Sequence, residues 1–333
     1  MKVYTEADLE RNVLRDVTIA VLGFGNQGQA HALNLRDSGA RVVIGARRGG
    51  NGWNAAARAG FTPVGIAEAV AAADVVAVLV PDESQALLFR EAIAPALRPG
   101  AALVFAHGFA VAFGGVKAPA GHDVILVAPK GQGHFLRRMY SEGRALTSLV
   151  AVETNASGAA HEKMLSYASL AGCLAAGAIA TTFREEAVTD MFGEQAVLCG
   201  GVPELVKAAF DTLVARGYSP EVAYIECLHE LKIIADLMFD GGLHAMRERI
   251  SRTAAWGSYE SGPRVVSNET RQALAAILDD IESGRFAEKW LEEARGGQKN
   301  LDARMREEST HGIEPAGRSV RALLDASKEE KPL

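Results

Sequence analysis

Hydrophobic and polar positions follow two rhythms along the chain. In the first half, short runs rich in β-branched residues recur: TIAVLG (18–23), RVVIG (41–45), DVVAVLV (74–80), ALVFA (102–106), DVILVA (123–128) and SLVAV (148–152). These are nearly continuous rather than alternating, which predicts parallel strands buried on both faces. Amphipathic stretches such as 27–38 and 83–96 lie between them. Strand, helix, strand in this order describes a doubly wound α/β domain. From about residue 183 the strand signal stops. Residues 185–199, 203–216, 220–240, 268–282 and 285–295 read as helices, with breaks expected at Gly200-Gly201, Gly241-Gly242 and Gly262-Pro263. The expected fold is α/β: a Rossmann-type doubly wound parallel sheet over 1–182, an all-helical domain over 183–328 and a tail over 329–333.

One segment, LSYASLAGCLAAGAIATTF (165–183), is apolar enough to imitate a membrane span. Its Ala, Gly and Ser content and its isolation favour a buried helix or domain junction. The chain has 333 residues, 48% hydrophobic and 23% charged, enough apolar material for two domains with proper cores. Its net charge of −6 argues against a nucleic-acid or anionic-membrane surface. Three cysteines, Cys173, Cys199 and Cys227, form no CxxC pair, and the polar start MKVYTEADLERN is no signal peptide. A reduced, cytoplasmic setting is therefore expected, with Cys199 and Cys227 as small core residues.

The motif GFGNQG (23–28) fits G-x-G-x-x-G and stands between a predicted strand and a predicted helix. Gly23 permits the tight turn, Gly25 lets the backbone approach a pyrophosphate, and Gly28 lets helix and strand pack closely. The helix N-terminus offers free N–H groups to phosphates. At the end of the second strand, where an NAD site usually carries an acid, the chain has Arg47 and Arg48 in IGARRGGNGW. Guanidinium groups suit the 2′-phosphate of NADP.

Two acidic pairs stand out in the helical half. Asp190 and Glu194 in TDMFGEQAVLCGG, and Glu226 and Glu230 in AYIECLHELKIIADLMF, are each four residues apart on otherwise apolar segments. A helix at about 100° per residue puts each pair on an apolar stripe, so both are expected to be enclosed. Enclosed carboxylates need positive partners. Oxygen donors without a soft sulfur motif or a His pair suit Mg²⁺ or Mn²⁺. His107 in FAHGF and Lys130 in APKGQGH follow the carboxyl ends of predicted strands, where such sheets hold their sites.

HALNLRDSG (31–39), FAHGF (105–109), VAPKGQGH (127–134), TDMFGEQAVLCGG (189–201) and ECLHELK (226–232) closely resemble ketol-acid reductoisomerases of the short, class I form. The resemblance runs from the first strand to about residue 325. It implies a helical domain that is knotted and dimerises, two Mg²⁺ ions, and NADPH with NADH as the alternative. The substrate implied is 2-acetolactate or 2-aceto-2-hydroxybutyrate, on the route to valine and isoleucine. Asp190 and Glu194 would be metal ligands, with Glu226 and Glu230 completing the site from the partner subunit. His107 takes the position of the active-site histidine, Lys130 lies beside the metals, and Ser251 would contact the substrate carboxylate. Cofactor contacts would come from Phe24, Gly25, Asn26, Gln27, Arg47, Arg48, the turn Asp82, Glu83, Ser84 and Gln85, and Gly133. Glu230 is one candidate for assisting proton transfer, and the residues do not choose among candidates.

The chain departs from the family pattern in places. Asn26 and Gln29 replace the usual residues of the first loop, and Gln132 interrupts GPGH. Gly50 and Gly52 occupy cofactor-loop positions that usually carry phosphate-gripping serines. Three alternatives follow: a divergent member acting on a related acetohydroxy acid, a metal-independent β-hydroxyacid-type dehydrogenase, or a non-catalytic dinucleotide-binding protein.

Overall fold

The central strands of the sheet send alternate side chains into two separate apolar layers, which explains why their sequences are hydrophobic throughout. In β2 (Thr18–Leu22), Ile19 and Val21 face one layer while Ala20 and Leu22 face the other. β4 (Val75–Val78) and β5 (Ala102–Phe105) divide in the same way. Burial on both faces requires helices on both faces. The computed structural model describes residues 1–329; of the tail expected over 329–333, only Glu329 falls within it, closing the last helix.

The remaining strands are β1 (Val3–Tyr4), β3 (Arg41–Gly45), β6 (Val124–Pro129), β7 (Ser148–Thr154) and β8 (Ala178–Ala180). The sheet order is β1-β8-β7-β6-β5-β4-β2-β3. β3, β2, β4, β5 and β6 are parallel neighbours. The chain crosses from β2 to β3 on one side and then to β4 on the other, so the switch point lies between β2 and β4. Ligands of open α/β sheets bind outside the carboxyl ends of strands at such a point.

Two features differ from the sequence expectation. β7 runs antiparallel to β6 rather than parallel, because a buried apolar run has the same composition in either direction. The span-like segment folds into the end of helix Ala160–Leu170 and strand β8, with Leu165, Tyr167, Cys173 and Leu174 buried. Among the described residues no helix is long and apolar enough to cross a membrane.

The chain forms two compact units, Met1–Thr189 and the residues from Asp190 onward, with the division falling inside helix Phe183–Gly193. In the second unit, helices Gly201–Ala215, Pro220–Tyr224 and Ile313–Glu329 enclose a small core of Val206, Phe210, Ala223, Tyr224, Ile313, Ala316 and Val320. Gly317 permits this packing, since a Cβ there would lie 2.5 Å from the Tyr224 ring. Of the expected breaks, Gly242 does interrupt its helix, with φ +78°. Gly262-Pro263 does not: both residues lie within helix Arg252–Val265. Proline disfavours helical backbone in the preceding residue partly through that residue's Cβ, and Gly262 has none.

Candidate active site

The dinucleotide motif adopts the geometry its glycines suggested. Gly23 has φ +90°, and a Cβ there would lie 2.9 Å from the Leu79 carbonyl. A Cβ on Gly28 would lie 2.3 Å from the Gly23 carbonyl, so helix Asn26–Asp37 is seated directly on the turn. A Cβ added at Gly25 would meet nothing within 4 Å, leaving open the direction from which a pyrophosphate would arrive. Phe24 is buried, while Gly25 and Asn26 are exposed.

A second loop packs on this turn. Gln27 Nε2 donates to the Gly131 carbonyl at 2.9 Å, and His134 N donates to Asn26 Oδ1 at 3.2 Å. Gly133 approaches so closely that a Cβ would lie 2.0 Å from the Asn26 carbonyl. The GQGH stretch and the Gly-rich turn thus form one backbone-lined surface. In the loop after β3, Arg47 and Arg48 are exposed; Arg48 sits over the Trp53 ring at 5.8 Å and 3.9 Å from Glu68. Gly50 caps helix Asn51–Arg58, and Gly52 leaves room for an added Cβ at 3.4 Å from Phe24 N.

The residues at the carboxyl ends of β4, β5 and β6 converge. His107 Nδ1 lies 2.8 Å from Asp82 Oδ2. Gln85, buried, donates to Asp82 Oδ1 at 3.0 Å and to the Val80 carbonyl at 2.9 Å. Glu83 is half-buried and Ser84 exposed on the same turn. Lys130 Nζ lies 2.6 Å from Glu186 Oε1, and the Gly108 amide donates to Glu186 Oε2 at 2.6 Å. Gly108 is required here because a Cβ would meet the Phe183 carbonyl at 2.1 Å.

Sequence reasoning missed Glu186. It stands beside Glu185 in the first turn of a helix, where acids are common for the helix dipole alone. Only its burial, with 1% of the side chain exposed, separates it from its neighbour. One turn further on the same helix is Asp190, half-buried, and ligand-type atoms of His107, Glu186 and Asp190 all lie within 4.8 Å of one another.

The other expected metal ligands sit differently from the sequence reading. Glu194, Glu226 and Glu230 are exposed in the single chain rather than enclosed. The helical wheel also fails locally, because Glu194–Leu198 and Ile225–His229 are π-helical turns. Cys199 N bonds the Glu194 carbonyl in the i→i+5 pattern at 2.8 Å, and Glu230 N bonds the Ile225 carbonyl at 3.0 Å. Such turns often mark functional positions. Cys199 is exposed rather than the core residue expected, while Cys227 is half-buried and packs against the core of the second unit. Ser251 is exposed and caps helix Arg252–Val265, its Oγ accepting the Ala254 amide at 3.1 Å. Its hydroxyl hydrogen is still a donor toward an anion.

A Rossmann-type sheet with an open glycine turn at the switch point, and a histidine–lysine–carboxylate group at the adjacent strand ends, defines a dinucleotide-dependent oxidoreductase. Residues 13–177 match the acetohydroxy acid isomeroreductase NADPH-binding domain, and residues 183–326 match the ketol-acid reductoisomerase C-terminal domain. The structure is similar to that of an NADH-preferring ketol-acid reductoisomerase from an uncultured archean, with 40% identity and a TM-score of 0.93 over 97% of this chain and 99% of that one. Two more distant structures share the fold alone. One is a semialdehyde dehydrogenase NAD-binding protein from Cupriavidus necator, at 20% identity and TM-score 0.62, covering 80% of this chain and 99% of that one. The other is a pyrroline-5-carboxylate reductase from Coxiella burnetii, at 14% identity and TM-score 0.53, covering 80% and 97%. The chain belongs to the ketol-acid reductoisomerase family.

It is accordingly an enzyme that rearranges and reduces 2-acetolactate or 2-aceto-2-hydroxybutyrate to 2,3-dihydroxy-3-methyl carboxylic acids, a step of valine and isoleucine synthesis. A match to the family in both halves, including the helical domain, does not favour the dehydrogenase or divergent-substrate alternatives.

Proposed function

We propose that the reaction runs on a Mg²⁺ site led by Asp190 and Glu194, with Glu226 and Glu230 supplied by a second copy of the chain. The observation that carries this reading is the grouping of His107, Glu186 and Asp190 on and around helix Phe183–Gly193. Carboxylate oxygens are the donors Mg²⁺ prefers, so the residues fit the ion. When bound, magnesium supplies Lewis acidity toward the substrate's oxygens. Lys130, held by Glu186, places a positive charge at the end of β6, and Ser251 contributes a hydroxyl for the substrate carboxylate. His107 borders the reacting centre, and Glu230 is the group we assign to proton transfer.

NADPH is the cofactor proposed, with NADH accepted as well. Arg47 and Arg48 offer guanidinium groups to a 2′-phosphate, but Gly50 and Gly52 provide no hydroxyl. Phe24, Gly25, Asn26, Gln27, Gly133 and the turn Asp82 to Gln85 would line the dinucleotide.

A homodimer, or an assembly of dimers, belongs to the same reading. The acidic pairs lie on apolar segments whose burial the single chain does not provide: Leu198, Phe239 and Leu243 are 66%, 91% and 61% exposed. An apolar surface of this kind beside carboxylates suits a second copy of the chain. Residues 1–182 would then bind the dinucleotide, and 183–328 the metals, substrate and partner. A cytoplasmic location completes the proposal, and three free thiols fit it.

Asp190→Asn tests the metal assignment. It is expected to abolish Mg²⁺-dependent turnover while leaving NADPH affinity nearly unchanged. Near-normal turnover in that variant would remove Asp190 from the metal site.

A further inference from the structure

We infer that Asp82 is a positioning residue for His107, tying the active-site histidine to the turn that borders the dinucleotide. The family resemblance gives Asp82 to the cofactor; the geometry gives its carboxylate to the histidine. Asp82 Oδ2 lies 2.8 Å from His107 Nδ1. An ionised carboxylate only accepts hydrogen bonds, so this contact places an imidazole proton on Nδ1 and turns Nε2 away from Asp82.

The carboxylate is itself held. Gln85 is 4% exposed and spends its amide N–H groups on Asp82 Oδ1 and the Val80 carbonyl, at 3.0 and 2.9 Å. The His107 ring lies nearly parallel to that of Phe109, 15° between planes and 6.1 Å between centroids. A carboxylate that is itself held thus sets where the Nδ1 proton points, the arrangement by which outer carboxylates orient working histidines.

The same turn presses on the nucleotide motif. A Cβ on Gly23 would lie 2.9 Å from the Leu79 carbonyl and 3.1 Å from Val80. The backbone that begins the Asp82–Leu88 helix therefore touches the glycine turn at one end and holds His107 at the other. Asp82 also opens that helix, where an acid is favourable to the helix dipole. That role would affect stability, and its effect would not depend on whether His107 is present.

The inference rests on the reading that His107 acts at the reacting centre, and the test separates the two. Asp82→Ala, His107→Gln and the double variant are compared in the full-length enzyme, with turnover of 2-acetolactate and NADPH affinity measured for each. Asp82→Ala is expected to lower kcat about ten- to hundredfold, as loss of an orienting carboxylate does. NADPH Kd is expected to rise severalfold less than kcat falls, because the rest of the turn still lines the dinucleotide, and Asp82→Ala to cost less than about twofold more when added to His107→Gln. Asp82→Asn keeps size and an acceptor, so it is expected to fall between Asp82→Ala and the native enzyme and to serve if the alanine variant folds poorly. Equal losses with and without His107, or a raised Kd with unchanged kcat, would overturn the inference. So would unchanged kcat in Asp82→Ala beside an impaired His107→Gln. Unchanged kcat in His107→Gln would overturn the reading of the histidine, and this inference with it.

Discussion

Lys130 Nζ and Glu186 Oε1 lie 2.6 Å apart although 56 residues separate them in the chain. The carboxylate is buried and the lysine side chain keeps about a third of its surface, so the pair holds the ammonium in place at the rim of the sheet. Glu186 also accepts the Gly108 amide, which joins the strand end carrying His107 to helix Phe183–Gly193.

Removing Glu186 therefore costs twice. Glu186→Ala leaves the Gly108 N–H without this acceptor and takes a partner from Lys130, with an expected stability loss of about 2–3 kcal/mol. Glu186→Gln retains an acceptor and should lose about half as much. Urea unfolding of the two variants checks the order. Turnover is expected to fall in both, because Lys130 loses the group that positions it.

Within the glycine turn, two alanine substitutions should separate folding from binding. Gly28→Ala places a Cβ against the Gly23 carbonyl, so both thermal stability and NADPH binding are expected to drop. Gly25→Ala meets no neighbour within 4 Å, so the melting temperature should hold while NADPH Kd rises on the order of tenfold or more, about 1.4 kcal/mol or more. Calorimetry and fluorescence titration on the same samples read both effects.

Cofactor preference should respond to Gly52. An added Cβ there finds ordinary contact with Phe24, so Gly52→Ser is accommodated. A hydroxyl at this position is expected to raise the NADPH-to-NADH ratio of kcat/KM by roughly tenfold, the worth of one hydrogen bond to a charged group. The ratio is measured with both reduced cofactors under one set of conditions.

His31 gives the fold a pH dependence. It is fully buried, 3.1 Å from the Tyr167 hydroxyl, and burial pushes its pKa down to about 4 from 6.5. The unfolded chain binds this proton first as pH falls, so the stabilising contribution is complete above about 6.5 and declines toward about 4. Between pH 7.5 and pH 5 the native protein should lose about 2 kcal/mol relative to His31→Gln. Parallel urea midpoints at the two pH values check this difference.

The glycine turn, the parallel strands and the helical second half are legible in sequence because each depends on local pattern. β7 is legible as a strand but not in direction, since antiparallel pairing leaves no mark on a buried run. The π-helical turns at Glu194 and Ile225 are invisible to a 3.6-residue wheel, so the faces assigned to the acidic pairs were approximate. Glu186 could be distinguished from Glu185 only by burial, which depends on the distant Gly108 and Lys130. Apolar neighbours predict enclosure of Glu194, Glu226 and Glu230, yet several of them, Val197, Leu198 and Ile233 among them, are themselves exposed within one chain. An apolar pattern records that a surface is to be covered, not which chain covers it.

The most direct measurement is the rate of NADPH oxidation with 2-acetolactate in the presence and absence of Mg²⁺. Turnover that requires magnesium and falls to background in Asp190→Asn is the expected result. Equal turnover without the metal, or in the variant, would contradict the carboxylate site on which the proposed chemistry rests.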